Sequence, residues 1–232
     1  MKLVVFGANG PTGRQVTARA LAQGHTVTAV TRRSGGFPLD APRLRVARAD
    51  VRDPAAVERA VAGQDAVLSA LGAPYGRKPV TVYSEGTAHI GRAMTEHGVR
   101  RLVAVTSTVL FGAPVPEEGF FFRKVLEPLI AGTLGRTVYE DMRRMEEIVR
   151  RSDHAWTVIR PAGLFDTDDV SDYRVATARL PGRFTSRADL ADAMLAEATG
   201  EGHVRAFVDV RTTRGTPSTL DVLRQEAFGA KK

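Results

Sequence analysis

The feature that most restricts the fold stands at the start of the chain. Lys2–Phe6 is a short run, Lys-Leu-Val-Val-Phe, and Gly7-Ala8-Asn9-Gly10-Pro11-Thr12-Gly13 follows it directly. An apolar run without alternation suits a strand covered on both faces, the usual condition of strands in parallel sheets. Residues 12–22 are helix formers closed by Gly24, and Thr26–Thr31 reads as a second strand. Strand, glycine-rich turn, helix and strand within about 30 residues make a βαβ unit.

The alternation continues. A third strand is expected over 43–47, and Asp53-Pro54 opens a helix with an acid at the cap and proline at its first position. Further strands are expected over 65–70 and 101–106, and helices over 84–97 and 138–151, the latter carrying Val138, Met142, Met145 and Val149 on one face. A sixth strand over 155–159, a helix over 189–198 and a late strand over 204–210 complete the series. Such alternation predicts an α/β fold: a doubly wound, Rossmann-type parallel sheet with helices on both faces. No linker or repeat divides the 232 residues, so a single domain, 1–232, is expected, with small substrate or lid segments at 72–83, 108–136 and 163–185.

Composition excludes several classes. Apolar residues make up 43% and charged residues 25%, which is enough apolar surface for a folded core. There is no cysteine, so disulfides, thiolate metal sites and cysteine nucleophiles are ruled out. The five histidines, at 25, 89, 97, 154 and 203, lack metal-ligand spacing. The acids at 166, 168, 169 and 172 lack the glycine and glutamate of a calcium loop, so no metal is expected. The net charge is +7, but the basic residues are scattered, and no nucleic-acid partner is expected. No run reaches the length of a membrane span and no signal peptide is visible, which fits a cytoplasmic protein.

Residues just beyond strand ends are where such sheets bind ligands. In Gly7 to Gly13, one glycine permits the turn, one admits a pyrophosphate close to the backbone, and one lets the helix pack on the strand. The helix start then offers amides and a favourable dipole to the anion. The second strand ends in Val30-Thr31-Arg32-Arg33 rather than in an acid. An acid would bind ribose hydroxyls, whereas arginine suits a 2′-phosphate, so NADPH is expected over NADH, unless the two arginines are a solvated turn. Asp50-Val51 stands where it would meet an adenine edge, or serves as a cap. Ser69-Ala70-Leu71-Gly72 supplies small residues where a cofactor passes, or a close-packed turn.

Taken together, Gly7 to Gly13, Arg32, Asp50-Val51, Thr106-Ser107-Thr108, Trp156 to Pro161 (Trp-Thr-Val-Ile-Arg-Pro) and Ser186 to Ala191 resemble the NAD(P)H-binding atypical short-chain dehydrogenases/reductases. That group includes NmrA-like proteins and the flavin reductase/biliverdin reductase B type. The resemblance runs to about residue 210. It implies that Gly7, Asn9, Gly10, Pro11, Thr12 and Gly13 line the pyrophosphate, with Arg32 and Arg33 at the 2′-phosphate. It places Asp50 and Val51 at adenine, Leu71 and Gly72 along the ribose, Ser107 beside the nicotinamide and Pro161 to Leu164 along its carboxamide, with Thr106 also among the cofactor-binding residues.

The catalytic candidates are Ser107 and Tyr139. The Ser107 hydroxyl stands at the cofactor end of a strand, ready for a substrate carbonyl or a nicotinamide amide, or bonded to backbone. Typical family members pair Tyr-x-x-x-Lys, and this chain has no such motif. Its nearest match is Tyr139-Glu140-Asp141-Met142-Arg143, in which the lysine position falls closer to Met142. Tyr139 is then either the acid or a helix-start residue, and Tyr83 either touches substrate or packs. Phe120, Phe121, Phe122, Val125, Leu126, Leu129 and Ile130 suggest an apolar lid, a dimer surface or core. The expected function is an NADPH-dependent reductase acting on a planar or apolar ketone, quinone or flavin, as a monomer or homodimer. A non-catalytic NADP-binding sensor and an epimerase are the alternatives.

Overall fold

The computed structural model describes residues 1–33, 35–111 and 135–217. Its centre is an eight-stranded sheet in the order β3-β2-β1-β4-β5-β6-β10-β8. The strands are β1 Lys2–Phe6, β2 Thr26–Thr31, β3 Leu44–Arg48, β4 Ala66–Ser69, β5 Arg101–Val105, β6 Ala155–Pro161, β8 Tyr173–Ala176 and β10 Ala206–Thr212. A second sheet pairs β7 Gly163–Phe165 with β9 Phe184–Ser186. The helices are α1 Pro11–Ala22, α2 Pro54–Val61, α3 Val82–Glu96, α4 Arg136–Arg151 and α5 Arg187–Thr199, with a 3₁₀ turn at Thr108–Phe111.

The middle strands are buried on both faces, as the unbroken apolar runs require: Leu3 to Phe6 and Ala66 to Leu68 are inaccessible to solvent. One core layer lies beneath α2, α3 and α4, with Val57, Ile90, Met145 and Trp156. The other lies beneath α1 and α5, with Val16, Leu190 and Met194. Val138, Met142, Met145 and Val149 are buried together on α4, as their spacing predicts. Asp53 caps α2 by accepting from the Ala56 amide at 3.2 Å, with proline at the helix start.

The structure departs from the sequence reading at the carboxyl-terminal third. β8 runs antiparallel to β10, so the sheet is mostly rather than wholly parallel. The 163–185 segment, expected as a substrate or lid segment, contributes β7, β8 and most of β9. These strands have three or four residues each, too few for a periodic signal, and they form by pairing with one another or with β10. α5 begins at Arg187 rather than 189, because Ser186 caps it by accepting from the Asp189 amide at 3.0 Å. β10 begins at Ala206 rather than 204: Arg205 turns at φ +56° and bonds its amide to the Trp156 carbonyl. The lid expectation at Phe120 to Ile130 lies outside the described residues, as does the chain beyond 217.

The strand order reverses between β1 and β4, because the chain winds outward from β1 to β3 and then returns to the other side. The carboxyl ends of β1, β2, β4, β5 and β6 lie along one rim, and the crevice at the reversal opens there.

Candidate functional site

The turn after β1 sits at that crevice. Gly7 has φ +75°, and a Cβ on it would lie 2.4 Å from the Ala70 carbonyl oxygen at the end of β4. A Cβ on Gly13 would lie 2.2 Å from the Gly7 oxygen and 2.7 Å from the Ala8 Cα. Both glycines therefore serve backbone packing, and they bring the start of α1 down onto the β1–β4 junction. Gly10 is the N-cap of α1 and brings no side chain, Pro11 has no amide proton, and the first turn holds no acid. The amides of Thr12 and Gly13 thus head a helix end open to an anion. Asn9 is braced by Arg14, whose Nε and Nη2 donate to its Oδ1 at 3.0 and 2.7 Å.

Arg32 and Arg33 follow β2 and are exposed. The neighbouring strand end carries Asp50, which accepts from the Arg52 backbone amide at 2.9 Å and from Arg52 Nε and Nη2 at 3.2 and 2.9 Å. The Arg52 hydrogen bonds hold the Asp50 carboxyl down at about 2, Arg32 adding a smaller pull. Arg52, not Arg32, binds this carboxylate. Val51 is buried against Gly86 of α3, where a Cβ would lie 2.8 Å from a Val51 methyl and 3.2 Å from Leu71 Cδ1. A Cβ on Gly72 would meet nothing within 4 Å, so this rim is open.

On the far side of β4 stand the two catalytic candidates. Thr106 is buried, and its hydroxyl donates to Glu146 Oε1 at 2.8 Å, leaving its side chain turned inward. Ser107 is half-buried, and its Oγ accepts from the Val109 amide at 3.3 Å. Tyr139, in the first turn of α4, is 4% exposed, and the Ser107 hydroxyl pulls its phenol slightly down. Its hydroxyl lies 3.0 Å from that of Tyr75, on the connection after β4. Burial, then the neighbouring Tyr75, pushes the Tyr139 phenol far up. Met142 is buried, and Arg143 is exposed to solvent, so neither supplies a cation beside the phenol. Tyr83 is packed rather than open: its oxygen accepts from the Ala73 amide at 3.2 Å, and burial pushes its pKa up to about 12.

Asp141 organises this corner. It is fully buried and accepts from the Tyr83 amide at 2.9 Å, the Ser84 amide at 3.4 Å and the Ser84 hydroxyl. A residue of α4 thereby caps α3, whose own N-cap, Thr81, makes no side-chain cap. Sequence reasoning missed Asp141 and Tyr75. Asp141 stands two residues from Tyr139, but its partners are 57 and 58 residues away, and no local pattern marks them.

Pro161 closes β6 and is buried. Beyond it, Ala162 donates its amide to Thr185 Oγ1 at 3.1 Å, tying the 163–185 segment to this rim. Arg211, buried in β10, pairs with Asp209 and donates to Thr108 Oγ1 at 2.8 Å and the Gly182 carbonyl at 3.1 Å, so it braces the turn after Ser107. A cavity of about 360 Å³ opens alongside, with Leu180, Pro181, Gly182 and Arg211 in its wall. Among the described residues no group of three or more His, Asp or Glu side chains is placed to hold a metal. No described helix is long and apolar enough to cross a membrane.

The family model described as NAD(P)H-binding matches residues 7–201. An uncharacterised protein of Mycobacterium tuberculosis is 37% identical over 108 residues, 46% of this chain and 12% of its own length. A 3-diazoavenalumate denitrifying reductase of Streptomyces is 30% identical over 202 residues, 78% of this chain and 64% of its own. The chain thus spans less than two thirds of these relatives. A short-chain dehydrogenase/reductase from Veillonella parvula, solved in complex with NADP, superposes with a TM-score of 0.74 at 21% identity, over 93% of this chain and 95% of its own. It has the same fold.

Proposed function

The chain belongs to the NAD(P)H-binding family, and from that premise we propose that it is an NADPH-dependent reductase of a small, planar or apolar organic acceptor such as a ketone, quinone or flavin. The observation that carries this reading is a convergence. The open start of α1 at Gly10 to Gly13 and the Ser107–Tyr139 hydroxyls lie along one rim of the sheet, beyond β1 and β5. One holds an anion and the other holds or protonates a polar atom. The Streptomyces relative, a reductase by name, supports the same class.

The residues present fit the dinucleotide. The amides of Thr12 and Gly13, with Gly7, Asn9, Gly10 and Pro11 shaping the turn, would hold the pyrophosphate. Arg32 and Arg33 would hold the 2′-phosphate, Asp50 and Val51 the adenine, and Leu71 with the open Gly72 the ribose. Ser107, the Thr106 backbone and Pro161 would border the nicotinamide. The reduced dinucleotide, when bound, supplies two electrons as hydride. Ser107 then orients the acceptor's polar atom, Tyr139 provides the proton, and the buried Thr106–Glu146 contact fixes the turn that carries Ser107.

An NADP-binding sensor without turnover is the second reading, favoured by Met142 where family members place lysine. NADPH oxidation followed at 340 nm against flavins, quinones and aromatic ketones separates the two. Acceptor-dependent oxidation establishes the reductase. Tight NADPH binding with no oxidation on any acceptor establishes the sensor. A competition titration that favours NADH over NADPH would overturn the role of Arg32 and Arg33.

A further inference from the structure

Two tyrosine hydroxyls meet at the candidate site, on the side where Ser107 stands. Tyr75 lies on the connection between β4 and α3 and is 57% exposed. Its oxygen is 3.0 Å from that of Tyr139, which is 4% exposed and whose phenol also feels the Ser107 hydroxyl. The contact therefore runs from solvent to the buried phenol.

Tyr75 is held in this place. Thr137 of α4 donates to the Gly76 carbonyl at 3.2 Å, next to Tyr75 in sequence. Arg144 Nη2 donates to the Val80 carbonyl at 3.1 Å, and the Ala73 amide donates to Tyr83. The rings of Tyr75 and Tyr139 sit 6.1 Å apart, tilted at 44°. A connection that carries an exposed tyrosine is thus tied at Gly76 and Val80 to the helix bearing the buried one, and at Ala73 to α3.

This arrangement answers the loss of the family's lysine. A lysine beside the phenol would stabilise its anion, but Met142 is buried there and Arg143 faces solvent. A buried tyrosinate without a cation is costly, so a proton leaving Tyr139 must be replaced as it leaves. Tyr75 is in hydrogen-bond reach of Tyr139 and also meets water. Resting on the reductase reading above, we propose that Tyr75 is the solvent-side donor of a two-tyrosine proton relay, from Tyr75 to Tyr139 to the acceptor atom oriented by Ser107.

The step balances as follows. The acceptor gains two electrons and one hydrogen as hydride from NADPH, which leaves as NADP⁺. The Tyr139 O–H bond breaks as an O–H or N–H bond forms on the acceptor. The Tyr75 O–H bond breaks as that of Tyr139 re-forms, and a solvent proton restores Tyr75. One proton is consumed from water per acceptor reduced, and no tyrosinate accumulates.

The test is Tyr75→Phe, Tyr139→Phe and the double variant, assayed with NADPH and the best acceptor of the flavin, quinone and ketone panel. Tyr75→Phe is expected to lower kcat about tenfold to a hundredfold, while KM and NADPH affinity stay within about twofold. The double variant should be no slower than Tyr139→Phe, since the two residues act as one unit. The wild-type solvent deuterium isotope effect should fall in Tyr75→Phe, and Tyr75→His, which keeps a proton donor, should recover part of the rate. In the cofactor-free protein, the Tyr139 hydroxyl proton should give a slowly exchanging NMR signal that moves in Tyr75→Phe. Wild-type kcat and isotope effect in Tyr75→Phe, losses that multiply in the double variant, or an unmoved hydroxyl signal would each overturn the relay while leaving the reductase intact. NADPH binding without oxidation of any acceptor would overturn the reductase reading and the relay with it.

Discussion

Glu146 of α4 holds Arg160 of β6 through two charge-assisted hydrogen bonds, Nε to Oε1 at 2.9 Å and Nη2 to Oε2 at 2.6 Å, with both side chains more than nine-tenths buried. Arg160 also lies over the rings of Phe111 and Phe207, at 4.5 and 4.2 Å. Thr106 donates to the same Glu146 oxygen that accepts from Arg160 Nε. The pair fastens α4 to the sheet directly below Ser107. Breaking it on one side strands a charge: Glu146→Ala should cost about 3–5 kcal/mol in urea unfolding. Replacing both partners by methionine should recover most of that loss. Equal stability for Glu146→Ala and the double variant would show that the loss in Glu146→Ala does not come from a stranded Arg160 charge.

Asp141 caps α3 from another helix, so its loss should be felt away from its own element. Asp141→Ala leaves the Tyr83 and Ser84 amides without their acceptor in a buried place, at a cost of about 2–3 kcal/mol. Asp141→Asn keeps one acceptor oxygen and should cost less. Amide hydrogen exchange distinguishes this from general loosening. Exchange at Tyr83 and Ser84 should rise well before that at Val103 or Val158, which lie in the middle of the sheet.

The sheet was legible because its residues speak locally. Leu3 to Phe6, Ala66 to Leu68 and Leu102 to Val105 are apolar runs between glycine or polar stops, and their order follows from winding rules that need no knowledge of side-chain contacts. The glycine turn was legible for the same reason at Gly13, which answers to backbone clashes with Gly7 and Ala8, whereas the clash that keeps Gly7 a glycine is with Ala70 at the end of β4. The catalytic corner was only half legible. Ser107 and Tyr139 carried a signal from their places at a strand end and a helix start. Tyr75 is 64 residues from its partner, in a connection rich in proline and glycine, where sequence assigns no position to a side chain. β8 was hidden because its four residues, half-buried or exposed, gain order only from β10 some thirty residues later.

Gly13 and Gly72 should separate packing from ligand contact. Gly13→Ala drives a Cβ into the Gly7 carbonyl and the Ala8 Cα, both backbone, so α1 must lift from β1. A loss of about 1–3 kcal/mol in stability is expected, with NADPH affinity falling at least about tenfold because the helix start moves. A Cβ at Gly72 meets open space, so Gly72→Ala should leave the cofactor-free protein within about 0.5 kcal/mol of wild type. If the ribose passes there, the same variant weakens NADPH binding. Unchanged affinity in Gly72→Ala would remove that residue from the cofactor path.

Asp50 should stay ionised through the whole range in which the protein is handled. Its carboxyl is held at about 2, against an ordinary value of 3.8, first by the Arg52 side-chain hydrogen bonds. A depressed folded value means that its stabilising contribution is present above the unfolded value of 3.8 and is lost as the pH falls through about 2. Because the Asp50 and Arg52 side chains are 33% and 50% exposed, that contribution should be under about 1 kcal/mol. Arg52→Ala removes the main cause, so the Asp50 carboxyl should titrate nearer its ordinary value, by a shift readable in the side-chain carbon resonance. If Asp50 meets adenine as a carboxylate, NADPH affinity should be flat in Asp50 between pH 5 and 8 in both proteins, ~1–4 units above the ordinary value. Below pH 5, affinity should begin to fall at higher pH in Arg52→Ala than in wild type. The same acid limb in both proteins would place Asp50 outside the adenine contact, because Arg52 would then tune a group that the cofactor does not touch.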